Sequence, residues 1–176
     1  MGEAIQVTRS MFEGLFVRAL EPRGEFLAEL KSAGFDPTAI QAQYPISTWW
    51  KCVDIAAKHH CAGMGRDEAD RALGAIFANG FLNTLPGSAT AGGLAVMGPE
   101  RMVERVPYLC QLVRTDLDVH VEKSGASEAL VHVVDAYPRP HFMSGCIQLA
   151  LERTKTKGSV TVETLTPTGY VIKVAW

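Results

Sequence analysis

The hydrophobic pattern of this chain changes period partway along, and that change constrains the fold more than any other feature. As far as Cys110 the apolar residues recur every three or four positions; from Leu117 to Trp176 they alternate, with one return to helical spacing. In the first part, GEFLAELKSAGF sets Phe26, Leu27 and Leu30 on one helical face, and Gly34 supplies the left-handed conformation that stops the helix. Ser47 is placed to cap the next helix, STWWKCVDIAAKHH, whose stripe is Trp49, Val53, Ala56 and Ala57 and which Gly63 ends. In RDEADRALGAIFANGFLNTL the acids Asp67, Glu68 and Asp70 complement the dipole of the first turn, while Ala69, Leu73, Ile76, Phe77 and Phe81 recur at helical spacing. The uncharged run LPGSATAGGLAVMG, residues 85–98, holds four glycines and reads as a loop or irregular passage. Pro99 then opens a helix with the stripe Met102, Val103, Val106, Leu109 and Cys110, which Pro107 must kink or divide.

The second part reads as strands. Leu117, Val119 and Val121 alternate with Asp118, His120 and Glu122; KSGASE offers a turn, and ALVHVV completes a hairpin. HFMSGCIQLALERTK returns to helical spacing with Phe142, Cys146, Leu149 and Ile147 inward. A second hairpin joins SVTVETL to GYVIKVAW through Thr166-Pro167-Thr168-Gly169. Helices precede this hairpin–helix–hairpin unit and nothing alternates βαβα. The expectation is therefore one α+β domain over residues 1–176, with N-terminal helices packed on a roughly four-stranded antiparallel sheet.

Composition excludes several classes of function. The formal charge is −2, with 47% hydrophobic and 20% charged residues, so no basic excess exists to release counterions and no nucleic-acid partner is expected. Charged residues such as Arg18, Arg71 and Arg101 interrupt every helical run short of the roughly 18 apolar residues of a membrane span. MGEAIQVTRSMFEGLF lacks the basic-then-apolar pattern of an export leader, and Gln6 stands where a myristoylation signal needs Ser or Thr, so the expected location is the cytoplasm. Cys52, Cys61, Cys110 and Cys146 are spread too widely for a small disulfide framework and are expected as free, mostly buried thiols.

Motifs for chemistry are sparse. Neither GK[ST] nor GxGxxG occurs, so the glycine-rich run is no phosphate cradle. Adjacent side chains on a helix diverge by about 100°, so His59 and His60 cannot easily share one ion with Cys61, and no CxxC or HxxxH accompanies them. His141 stands near Ser144 and Cys146 in PHFMSGC, but GxSxG is absent and Cys146 shares a stripe with Phe142 and Leu149. Asp116 and Asp118, on one strand face, are acids for solvent, and Arg101 and Arg105 with Glu100 and Glu104 read as a salt-bridged surface. Trp49, Trp50, Phe77, Phe81, Met97 and Met102 form an inventory that packs a core or lines an apolar cavity equally well.

Several blocks together, MFEGLFVRALEPRGEF, LKSAGFDP, YPISTWW, EADRALGAIFANGFLNTLPG and MGPERMVERVPYL, resemble a myxobacteria-restricted family of about this length that has no assigned activity. The element order is also distantly similar to the haem–nitric-oxide-binding domains, the 4-vinyl reductase domains and the TRAPP subunits, with VDIAAKHHCAGMGRDEADRALGAIF resembling the paired helices of the haem domains. That resemblance implies a fold that encloses apolar cofactors or lipid chains, or supplies an association surface. In the haem domains the helix resembling MGPERMVERVPYLCQLV ends in an iron-ligating histidine, and a Tyr-x-Ser-x-Arg motif follows on the hairpin. Here the ligand position falls at or near Leu112, the hairpin reads LVHVVDA, and His120 and His132 sit on strands away from that position.

The reading that follows is a non-catalytic small-molecule-binding or sensory domain with an apolar pocket between helices and sheet, lined by Phe77, Phe81, Met102 and Leu109. It carries no cofactor, no metal and no catalytic residue, and its expected partner is a small apolar ligand. The alternative is a scaffold that binds a protein or a second copy of itself through GYVIKVAW or segment 85–98. A haem-dependent gas sensor is disfavoured by the missing histidine.

Overall fold

A computed structural model describes residues 5–94 and 96–176; Met1 to Ala4, on which the leader and myristoylation readings partly rest, lie outside the described residues. A short strand β1 (Gln6–Thr8) leads into α1 (Arg9–Phe12), which continues as a π-helical segment (Glu13–Leu20) and ends at Glu21 in a left-handed conformation. Helix α2 (Gly24–Ser32) stops at Gly34, whose φ of 101° suits glycine. Strand β2 (Gln43–Pro45) pairs antiparallel with β1, and α3 (Ile46–His60) and α4 (Arg66–Phe81) follow. This two-stranded pairing was not expected, because three residues are too short to show a period.

Two local readings need correction. Helix α3 begins at Ile46 after Pro45 and has no side-chain cap, so Ser47 lies inside the helix rather than before it. Segment 85–98 is helical over α5 (Leu85–Leu94). Thr84 explains the change: its hydroxyl accepts from Gly87 N–H at 3.2 Å and donates to the Phe81 carbonyl at 2.7 Å, and Pro86 suits a first turn. A Cβ at Gly87 would lie 1.9 Å from that same carbonyl, so the glycine serves close approach and not flexibility.

Pro107 divides the next helix as expected, into α6 (Pro99–Glu104) and α7 (Val106–Gln111). Strands β3 (Asp118–Gly125) and β4 (Glu128–Val134) form the first hairpin, α8 (Pro140–Arg153) crosses, and β5 (Ser159–Thr166) and β6 (Gly169–Ala175) form the second. The sheet is antiparallel throughout with order β3-β4-β6-β5, so the fold is α+β. Because β6 pairs with both β4 and β5, GYVIKVAW is an interior strand and presents no free edge for association.

Apolar residues gather in two clusters. One is helical and aromatic, built on Phe12, Phe16, Phe35, Tyr44 and Trp49; Phe12 and Tyr44 ring centres lie 4.2 Å apart. The other sets Val131, Val133, Ile172 and Val174 of the sheet against Met102, Val103, Val106, Ile147 and Leu151. Helix α8 lies between them, so its inward stripe is wider than Phe142, Cys146, Leu149 and Ile147: Ser144, Gly145 and Leu151 are buried as well. It crosses α4 with backbones nearly touching, since a Cβ at Gly145 would lie 2.0 Å from the Arg71 carbonyl oxygen, and one at Gly74 2.0 Å from that of Phe142.

Candidate functional site

The two clusters do not close completely. A cavity of about 120 Å³ remains in the seam, walled by Phe77, Ala78 and Phe81 of α4, Leu109 and Cys110 of α7, Phe142, Met143 and Cys146 of α8, and Tyr170 of β6. An apolar cavity of about 150 Å³ takes benzene or xenon, whereas drug-sized ligands occupy about 300–1,000 Å³. The space therefore suits one small molecule. Phe77, Phe81 and Leu109 share this wall; Met102 does not line it and is fully buried in the sheet cluster.

Two arginines bound the cavity, and neither was singled out in the sequence. Arg114, 4% exposed, donates to both oxygens of Asp135, at 2.9 and 3.2 Å, and from Nε to Asp116 at 3.1 Å. Asp116, an exposed residue as expected, is thereby also an ion-pair partner. Arg139 forms a forked pair with Asp70, with Nε at 2.9 Å from one oxygen, reaches Asp54 at 2.7 Å, and stacks over Trp50 at 4.6 Å. Each buried guanidinium thus meets two carboxylates, which offsets the cost of removing it from water. Asp70, read as an ordinary first-turn acid, is buried for this reason.

The thiols on the wall are protonated. Burial pushes Cys110 up to about 12 and raises Cys146 further, and the Cys146 thiol donates to the Gly74 carbonyl, with sulfur and oxygen 3.3 Å apart. His141 does not assemble with them: its ring lies 3.3 Å from Asp67, while Ser144 donates to the His141 backbone carbonyl at 2.8 Å. No nucleophile–base pair is formed by these three residues. His59 and His60 flank Phe26, each ring centre 5.0 Å from it, and among the described residues no three His, Cys, Asp or Glu side chains gather to hold a metal. His120 and His132 pair across β3 and β4 on the face opposite Val131 and Val133, away from the cavity. No helix among the described residues is long and apolar enough to cross a membrane.

A family model described as "Protein of unknown function (DUF2378)" matches residues 5–176. No curated protein matches the chain. Solved structures do. An H-NOX protein from S. oneidensis in the Fe(II) ligation state is similar at 12% identity and a TM-score of 0.71, covering 96% of this chain and 95% of that one. An unliganded Fe(II) H-NOX protein from K. algicida is similar at 13% identity and 0.66, covering 94% of each chain. An oxygen-binding H-NOX domain related to soluble guanylate cyclases, in its oxygen complex, is similar at 14% identity and 0.64, covering 84% and 82%. At these identities the likeness is one of fold.

Haem does not fit the residues present. The lining includes no histidine, and the thiols are held protonated. Both lining arginines are already committed to carboxylates and have little capacity left for propionates.

Proposed function

Since the chain belongs to the DUF2378 family of unknown function and shares its fold with the H-NOX domains, we propose that it is a non-catalytic sensory or interaction domain that holds one small apolar molecule in the seam between its helices and its sheet. The observation that carries this reading is the cavity itself: an apolar space bounded by fixed ion pairs, lined from both hydrophobic clusters at once. A molecule seated there touches α4, α7, α8 and β6 together, so its arrival stabilises their docking. No nucleophile–base pair stands among the described residues of the cavity wall, which favours binding over transformation.

Native and denaturing mass spectrometry of freshly purified protein, followed by titration with benzene monitored by amide chemical shifts, tests the reading. Shifts should cluster around Phe77, Phe81, Leu109 and Tyr170. Ala78→Leu, which adds three carbons to the wall, should abolish them while leaving the fold intact. Absence of bound mass together with absence of benzene shifts overturns the proposal.

A second reading, association with a protein or a second copy, draws on Leu85 at 87% and Val96 at 89% exposure, two large apolar side chains at either end of the α5 region. Sedimentation over a range of concentrations tests it; a monomer throughout excludes self-association.

A further inference from the structure

Among the described wall residues, Tyr170 and Trp50 each carry a side-chain polar atom without a hydrogen bond, and that of Trp50 is sealed in protein. Tyr170 is 5% exposed, its hydroxyl makes no hydrogen bond to any described residue, and burial together with the nearby Asp135 charge acts on it. The hydroxyl is not sealed in protein either. The sealed side-chain nitrogens without a hydrogen bond among the described residues are Trp49 Nε1, Trp50 Nε1 and His59 Nε2, the last 3.4 Å from a Glu29 carboxylate oxygen. Tyr170 lines the cavity together with Asp135, Cys110 and Cys146, all close enough to act on its hydroxyl.

The neighbouring groups cannot serve it. Asp135 accepts from Arg114 through both oxygens and from Tyr137 N–H at 2.8 Å, and Arg114 is shared between Asp135 and Asp116. Arg114 is matched by two carboxylates, a set of net charge −1, and Arg139 with Arg66 balances Asp54 and Asp70, so neither set offers a free cation to an anion. Burial raises the Tyr170 phenol well above its ordinary range, so it stays a neutral donor at every physiological pH. A buried donor without a partner costs free energy that an acceptor in the cavity recovers.

We infer that the occupant of the cavity is a small neutral molecule of about six heavy atoms bearing a single oxygen acceptor, which takes the Tyr170 hydroxyl hydrogen while its apolar body fills the space between Phe77, Phe81 and Leu109. This rests on the proposed function and names the ligand class for it. It distinguishes the site from a purely apolar void, and it excludes carboxylates and phosphates as occupants.

The test uses two probes of equal size, cyclopentanone and methylcyclopentane, against the full chain and Tyr170→Phe. Comparing each probe between the two proteins cancels the difference in their hydration. Phe keeps the ring, and its melting temperature verifies folding. The variant should weaken cyclopentanone about tenfold, the usual effect of one hydrogen bond, and leave methylcyclopentane unchanged or slightly tighter. Equal effects on both probes, or methylcyclopentane binding without cyclopentanone, overturn the inference and leave the apolar site standing. Failure of both probes to bind the unaltered protein overturns the site as well.

Discussion

Replacing Gly145 by Ala tests one of the closest contacts in the molecule. An added Cβ would stand 2.0 Å from the Arg71 carbonyl oxygen, 2.9 Å from its carbonyl carbon and 3.0 Å from the Ala75 nitrogen. All three are backbone atoms of α4, so no side chain can rotate away. Ordinary contact begins at 3.4 Å, so α8 must retreat from α4 by about 1.4 Å. Helix propensity works the other way, favouring Ala over Gly by about 1 kcal/mol. Overpacking costs about 1–3 kcal/mol, and the upper end applies where backbone meets backbone. The net expectation is a loss of about 2 kcal/mol, read as a fall in the urea midpoint without change in slope. Gly92→Ala is the control: it also lies in a helix, a Cβ there meets nothing within 4 Å, and the propensity gain of up to about 1 kcal/mol should appear undiminished. If Gly145→Ala stabilises as Gly92→Ala does, the crossing is not as close as described and the walls of the cavity are misplaced with it.

Other expectations follow from single contacts. Arg139→Leu should cost about 3–5 kcal/mol in denaturation because it leaves Asp70 buried without its partner, and Arg139→Leu with Asp70→Leu should recover much of it; a single-variant loss below about 1 kcal/mol contradicts the ion-pair geometry. Asp36 accepts from Thr38 N–H and hydroxyl and pairs with Lys31, which together hold its carboxyl at about 2, below the usual 3.8. A lowered folded value means stability present above about pH 4 and lost as pH falls through 2, so the melting-temperature gap between the protein and Asp36→Asn should close over that window in calorimetry. Cys52 and Cys110, both pushed to about 12 by burial, should resist a disulfide reagent at pH 8 in the folded protein and react at once in denaturant. Thr84→Ala should cost about 1 kcal/mol and speed amide exchange within α5; unchanged exchange rejects the cap.

Much of the architecture was legible because it rests on periodicity. Alternation located both hairpins, Pro107 marked the break between α6 and α7, and the stripes of α4 and α7 carried Phe77, Phe81 and Leu109 to the seam. What escaped was set by distance along the chain. Asp135 lies 21 positions from Arg114, and Asp70 and Asp54 lie 69 and 85 from Arg139, separations over which no local pattern forms. Arg139 did carry a weak signal: it stands between Pro138 and Pro140, where a rigid backbone aims a long side chain. Met102 misled for the opposite reason, since it shares a stripe with Val103 and Val106 and the stripe alone does not tell a wall from a filled core. The glycines of 85–98 suggested looseness because composition carries no information on what the Gly87 backbone touches.

The order β3-β4-β6-β5 also sets a timetable for synthesis. A strand at the middle of the sheet is the last of the six to leave the ribosome, so β4 waits with one side unsatisfied while α8 and β5 are made. Nascent chains are most prone to stick to one another in that interval, through Leu130 to Val134. Once β6 arrives, the outer strands meet solvent with Glu122, Lys123, Thr161 and Glu163, and Arg71 occupies the Val160 carbonyl at 2.6 Å, leaving little for a stray strand to zip onto.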